Sequence, residues 1–345
     1  MKITQIRAIQ PETPGAPQDW RTQLGQIVVQ VQTESGEVGL GVGGGGAASI
    51  HVIDTVLRDL LIGRDARDVE QLHREMLRHT VFYGRSGLVV MAISGIDLAL
   101  WDLRGKAQGC CVARLLNPAV DLTRSLPTYA TVFDDVDAEQ AIQTGHSAIK
   151  LHVERFGDRP DPSDIRQLVQ RVRDRLGQEA MVMIDAFARW DFESSLEVAE
   201  AIADQQVSWL EEPLPPDDLD GYEALAGRSP VPIAGGEHEY TAAGFQQLID
   251  RKLHHILQPD INWCGGLTTL VEVYRMAQSH GIRVCPHRGS EPFALQAIAA
   301  LDDDPLAESP RNWFHSLAGA PQIEQGSIRP GEAPGFGVSL LNRDK

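Results

Sequence analysis

From about residue 126 onward the chain repeats one unit: a short apolar run, a loop, a helical stretch and a loop, again and again. The strand candidates are TYATV, AIKLHV, AMVMIDAF, VSWLEEP, VPIAGGEH, HHILQPDI, IRVCPH and PLAES. Between them lie helical patterns such as SDIRQLVQRVRDRLG, ESSLEVAEAIADQ, TAAGFQQLIDRK and GLTTLVEVYRMAQSHG. Strands that alternate with helices pair in parallel, because only a crossover of that length returns the chain to the same edge. A parallel series of this length predicts an α/β fold, a TIM-like (β/α) barrel, with strand C-termini gathered on one face.

Three of these runs end in an acid: Asp185 in MVMIDAF, Glu211 in VSWLEEP and Glu237 in VPIAGGEH. Their spacing is constant (211 − 185 = 26 and 237 − 211 = 26), one unit of the repeat. Successive strand ends would aim the three carboxylates at a common point, where like charges repel unless a cation lies between them. A hard divalent ion with oxygen ligands, Mg²⁺, is the expected occupant. Glu212 points the other way along the strand and reads as structural.

Two further strand ends add titratable groups. Asp260 closes HHILQPD and His287 closes IRVCPH; a carboxylate on a neighbouring strand can fix an imidazole tautomer and raise its basicity. On the opposite flank, Lys150 and His152 lie two apart in AIKLHV and so share a strand face. Lysine suits a substrate carboxylate, and His152 could exchange protons. A metal with a base on one side and a cation on the other suits removal of the weakly acidic proton next to a carboxylate.

The first third reads differently. Residues 2–10 and 26–33 form strand patterns, and Ser35-Gly36 before EVGLGV is a hairpin signal. Helical patterns follow at 47–62, 67–80 and 88–107. This gives an α+β capping domain over residues 1–122, a modified barrel over 123–325, and a Gly- and Pro-rich tail, 326–345, that returns to the capping domain. The run GVGGGG at 41–46 lacks the Lys-Ser/Thr of a phosphate loop and reads as a flexible turn.

Taken together, Lys150-x-His152, Asp185, Glu211 in EEP, Glu237 in GGEHEY, the Asp260/His287 pair and ISGIDLALWDLRGK resemble the enolase superfamily, in its mandelate racemase branch. GEHEYT, QPDINWCGGLT and PGFGVSL resemble the L-rhamnonate dehydratase-like group most. The resemblance implies a capping domain on an enolase-type barrel, Mg²⁺ on Asp185, Glu211 and Glu237, and His287 as base oriented by Asp260. It also implies an eighth-strand glutamate, Glu308 in PLAES, at the substrate carboxylate. A loop over the barrel mouth would carry Trp20 and Arg21 as specificity residues, with His238 and Arg288 as further substrate contacts. That this superfamily works with a Lys or His base and Mg²⁺ is general knowledge rather than a deduction from this chain.

The activity implied is dehydration of an acid sugar to a 2-keto-3-deoxy acid. A racemase, epimerase or cycloisomerase sharing the first proton abstraction, and a non-catalytic regulatory member of the fold, are the rivals. The chain departs from the branch at His152, where the racemase pattern has a second lysine, at Phe187, where many relatives carry asparagine, and at Arg288, where the rhamnonate enzyme has a small residue.

The net charge of −17 argues against nucleic acid and anionic membranes as partners. The four cysteines have no metal spacing, and two are adjacent, which fits a reduced, cytoplasmic setting. The N-terminus lacks an apolar signal core, and no run reaches membrane-spanning length. A homo-oligomer is the expected assembly.

Overall fold

A computed structural model describes residues 1–12, 19–311 and 316–341, the side chains of Trp20 and Arg21 excepted. The first sheet is antiparallel, in the order β1 (Ile3–Ile9), β2 (Ile27–Thr33), β3 (Val38–Gly43). Three helical segments follow, through Gly46–Leu61, Val69–Thr80 and Leu88–Gln108. The last is apolar around most of its circumference because it is buried on both sides.

The glycine-rich run is not a flexible turn. Gly41 and Gly43 belong to β3, and Gly46 opens the next helix. A Cβ on Gly39 or Gly41 would lie 2.0 Å from the carbonyl oxygen of Ala99 or Gly95, so the missing side chains let the helix Leu88–Gln108 lie directly on the strand. Composition alone could not separate a mobile loop from this close contact.

The second part is the parallel wall: β4 (Leu126–Val132), β5 (Ala148–His152), β6 (Met181–Asp185), β7 (Val207–Glu211), β8 (Ile233–Gly235), β9 (Ile256–Leu257), β10 (Arg283–Val284) and β11 (Ala307–Glu308). Their order is β10-β9-β8-β7-β6-β5-β4-β11. No strand ladder joins β10 to β11; single bonds span the seam, Cys285 Sγ to Leu306 O at 3.4 Å and Ser290 N to Glu308 O at 2.9 Å. Alternation decides what faces inward. Tyr129, Met183, Trp209, Ala234, Cys285 and Leu306 fill the interior, whereas Ile149, Leu151, Ile184 and Leu210 pack with the outer helices. Lys150, Asp185 and Glu211 fall on the interior phase, at the C-terminal ends.

The tail pairs Ser327–Ile328 antiparallel with Leu126–Pro127. Gly335 then exchanges backbone bonds with Cys110 and Val112, and Phe336 N donates to Asp102 Oδ1 at 2.8 Å. All four cysteines are free. Among the described residues no helix is long and apolar enough to cross a membrane.

One contact between the two parts has a measurable consequence. His73, buried, donates from Nε2 to Gly265 O at 2.9 Å, and burial pushes its pKa down to about 4. The folded protein therefore holds His73 neutral, while the unfolded chain protonates it below about 6.5. Its contribution is fully present above that pH and is lost as pH falls through about 4, on the order of 3 kcal/mol in all. His73→Gln is expected to flatten the fall in stability between pH 6.5 and 4.5, measured by urea unfolding; an unchanged slope would remove His73 from the acid response.

Candidate active site

A cavity of about 390 Å³ opens at the C-terminal ends of the parallel strands. Lys150 (β5), Asp185 (β6), His287 (after β10), Glu308 (β11) and Glu237 (after β8) reach it, with His152, Phe187 and Arg288 on its wall. Three of the strand ends leave the sheet sharply: Phe187 and Ala188 after β6, Glu212 after β7 and Arg288 after β10 have φ of 59°, 55°, 37° and 55°. Non-glycine residues held there carry strain of about 1 kcal/mol or more each, and such strain clusters where side chains must be aimed.

Lys150 is the hub. Its Nζ lies 2.8 Å from Glu308 and 3.1 Å from Asp185, and it also binds Glu211. Burial works against its charge, but the three carboxylates raise its pKa well above the ordinary lysine value. Glu308 is the reciprocal case: burial opposes ionisation, yet Lys150 and His287 bring it down to about 2. Thr131 Oγ1 and the Arg288 amide also donate to it, at 3.1 and 2.7 Å. The eighth strand, the weakest of the sequence patterns, thus delivers its acid to the lysine.

His287 Nε2 points into the cluster, 3.1 Å from Glu237 and 3.7 Å from Glu308. Its Nδ1 lies 3.3 Å from Asp260 Oδ2 but off the line of a hydrogen bond, because Arg288 Nη1 shares that oxygen at 3.4 Å. Burial, reinforced by the Arg288 charge, holds the His287 pKa well below the usual value. The ring is neutral near pH 7 and can accept a proton. On the other flank, His152 lies between the tilted rings of Phe133 and Phe187, at centroid distances of 5.5 and 5.1 Å. Its Nδ1 is buried without a hydrogen-bond partner, and Nε2 is 3.9 Å from Asp185.

Two groups of residues compete as a metal site. Glu212, Glu237 and His238 bring ligand atoms within 4.8 Å of one another. In that group, however, His238 Nδ1 sits 2.8 Å from Glu212; burial opposes its charge, but Glu212 and Glu237 raise His238 to about 10. A protonated imidazole has no lone pair to give, and the ion pair already satisfies Glu212. The other group, Asp185, Glu211 and Glu237, is all oxygen and suits Mg²⁺. Burial first, then neighbouring carboxylates, raise Glu211 well above its ordinary pKa and Glu237 to about 8. Glu211 and Glu237 are short of positive charge, a deficit a divalent ion would fill, whereas at Asp185 burial opposes ionisation but Lys150 and His152 hold the pKa below its usual value.

The remaining candidates divide. Arg288 is buried, with its guanidinium 5.6 Å from the Trp263 ring, and lines the cavity. His238 does not line it; it turns to Glu212. Trp20 and Arg21 fall in the short helix Trp20–Gln23, and their side chains lie outside the described residues. Residues that sequence reading did not find are Thr131, Phe133 and the buried pair Arg311–Glu291, whose Nε–Oε1 distance is 2.6 Å. Arg311 lines the cavity, but nothing in the loop text AESPRNW marks a residue whose partner is twenty positions away.

The chain was compared with known proteins. Residues 17–117 match the mandelate racemase/muconate lactonizing enzyme N-terminal domain, and residues 135–345 match the enolase C-terminal domain-like family. L-rhamnonate dehydratase of Saccharopolyspora erythraea is 34% identical over 330 residues, covering 92% of this chain and 83% of that one. L-talarate dehydratase of Polaromonas sp. JS666, solved with Mg and L-glucarate, superposes with a TM-score of 0.86 at 28% identity, covering 99% and 96% of the two chains. The 3,6-anhydro-D-galactonate cycloisomerase of Zobellia galactanivorans has the same TM-score, 0.86, at 28% identity, covering 99% and 97%.

Proposed function

The chain belongs to the mandelate racemase/muconate lactonizing enzyme family of the enolase superfamily, and on that premise we propose that it is a Mg²⁺-dependent acid-sugar dehydratase. The observation that carries this reading is one cavity lined by the buried Lys150, by His287 and by the carboxylates of Asp185, Glu237 and Glu308, with Glu211 bound to the same lysine. Support comes from relatives that are themselves dehydratases of sugar acids.

In this reading Asp185, Glu211 and Glu237 hold the ion, which supplies positive charge where a deprotonated carboxylate substrate accumulates negative charge. Lys150 binds the substrate carboxylate by charge, and Glu308 completes that site by holding the lysine, since a pKa of about 2 leaves it no proton to donate. His287 Nε2 takes the C2 proton. The electron pair left on C2 forms the C2–C3 double bond as the 3-hydroxyl departs, and that oxygen receives a proton from His287 or His152 to leave as water. The enol product tautomerises to the 2-keto-3-deoxy acid.

The test is a stereochemically complete acid-sugar library incubated with Mg²⁺ and scored for 2-keto-3-deoxy products. A racemase or cycloisomerase reading has two observations in its favour, a histidine on each flank and the cycloisomerase likeness. Reaction in D₂O separates the two: deuterium at C2 of recovered substrate with no keto acid formed would replace dehydration by that alternative.

The metal assignment has its own expected result. Glu237→Gln should weaken Mg²⁺ binding at least a hundredfold by calorimetric titration, whereas His238→Asn should change it less than about threefold, since a charged imidazole is no ligand. Equal losses in both variants would move the ion to the Glu212–His238 side.

A further inference from the structure

The motif ISGIDLALWDLRGK holds two buried acids, and the proposed chemistry uses neither. Asp97 and Asp102 lie on the helix Leu88–Gln108 and are both fully buried. Asp102 serves its own domain and the tail, accepting from Leu40 N at 2.9 Å and Phe336 N at 2.8 Å. Asp97 crosses to the barrel. Its Oδ2 accepts from Thr268 N at 2.9 Å, and its Oδ1 accepts from Thr268 Oγ1 at 2.6 Å.

Thr268 stands in the first turn of the barrel helix Gly266–Ser279, whose capping position is Gly265, a residue with no side chain to cap with. Asp97 supplies the missing acceptor from the other domain. Gly266 makes room for it. Gly266 has φ +82°, and a Cβ there would lie 2.4 Å from Asp97 Oδ2. Two more capping-domain side chains hold the same spot: Gly265 N donates to Ser94 Oγ at 2.9 Å, and His73 Nε2 donates to Gly265 O at 2.9 Å.

The clamped residues are the far end of a tight turn that begins at Asp260. Asn262 N donates to Asp260 Oδ1 at 2.8 Å, and the Trp263 and Cys264 amides donate to Asp260 O at 3.0 and 2.8 Å. Asp260 in turn faces His287 and Arg288, and Trp263 lies beneath the Arg288 guanidinium. Five residues separate Asp260 from the clamp, with no slack between them.

We propose that Asp97 caps the barrel helix from the capping domain and so positions the Asp260 turn against His287; it is a positioning residue that touches no substrate. The inference rests on the reading of His287 as the base. Its test uses the full-length, Mg²⁺-loaded protein and two readouts. In Asp97→Asn one N–H would face the Thr268 amide, and in Gly266→Ala the new methyl would expel the carboxylate. Both are expected to speed amide hydrogen exchange of the 260–266 segment at least tenfold and to lower kcat about tenfold, with KM within twofold. Asp102→Asn, on the same helix but outside the clamp, should lower thermal stability while leaving both readouts near wild type. If Asp97→Asn does not fold, Thr268→Ala against Thr268→Ser carries the comparison, since only serine keeps the hydroxyl. Unchanged exchange, faster exchange with unchanged kcat, or an equal kcat loss in Asp102→Asn would each overturn the proposal. Retained activity in His287→Asn would sink the base assignment instead, and the exchange readout would still report on the clamp.

Discussion

Lys150→Ala is expected to abolish turnover, by at least about a thousandfold in kcat/KM, and to destabilise the fold by roughly 3–5 kcal/mol. The side chain is buried, and its ammonium is shared by Asp185, Glu211 and Glu308. Without it three buried carboxylates face one another, and they must either take up protons or open the strand ends to water. The destabilisation should accordingly be larger at pH 8 than at pH 5, where protonation relieves the repulsion. Mg²⁺ should restore part of it, about 2.7 kcal/mol at a hundred times its dissociation constant, because an ion replaces some of the lost charge. Thermal unfolding at both pH values, with and without Mg²⁺, reads all of this. Lys150→Met, nearly equal in volume, separates charge from packing. A methionine variant as stable and active as the wild type would remove Lys150 from the site.

His287→Asn is expected to cost 10²–10⁴-fold in kcat, the usual share of a positioned base, with stability little changed. The asymmetry follows from its state. Burial and the Arg288 charge keep the ring neutral, so no buried charge is stranded when it goes. The same variant should stop deuterium entering C2 from D₂O, because among the described residues the other imidazole near Glu237, that of His238, is paired with Glu212 and turned from the cavity. His152 is on the far flank, against Asp185. If His287→Asn still exchanges C2 hydrogen while failing to form product, His287 would be the acid of the second step, and His152 the base of the first. Both outcomes are read in one NMR time course.

Much of the site was legible because strands have period two and the repeat has a fixed length. Asp185 and Glu211 had to share a side once their strands paired, and the register sets them directly opposite. Lys150 and His152 had to share a face of β5. Glu308 was harder to read: its strand has only two paired residues, and its identity as a site acid rests on Lys150 and Thr131 reaching it. His238 shows the limit of reading by adjacency. It follows Glu237 in the chain, but the strand end turns there, and Glu212 captures the ring.

The glycine runs show the same limit from another direction. GVGGGG and WCGG look alike as text, yet one lets a helix lie on a strand and the other admits Asp97 to a helix end. What a glycine makes room for is a property of the partner, which sits far away in the chain.

The amino-acid order alone determined the parallel architecture and which strand ends carry charge, because these depend on local period and spacing; the family was legible in it as a resemblance of motifs. Tertiary structure decided how the charges are shared: that Lys150 gathers three acids, that His238 is already spent on Glu212, that Arg288 contests Asp260 with His287, and that a capping-domain aspartate closes a barrel helix. Such pairings join residues up to 171 positions apart, and they are fixed by distance and burial in space, which no local pattern encodes.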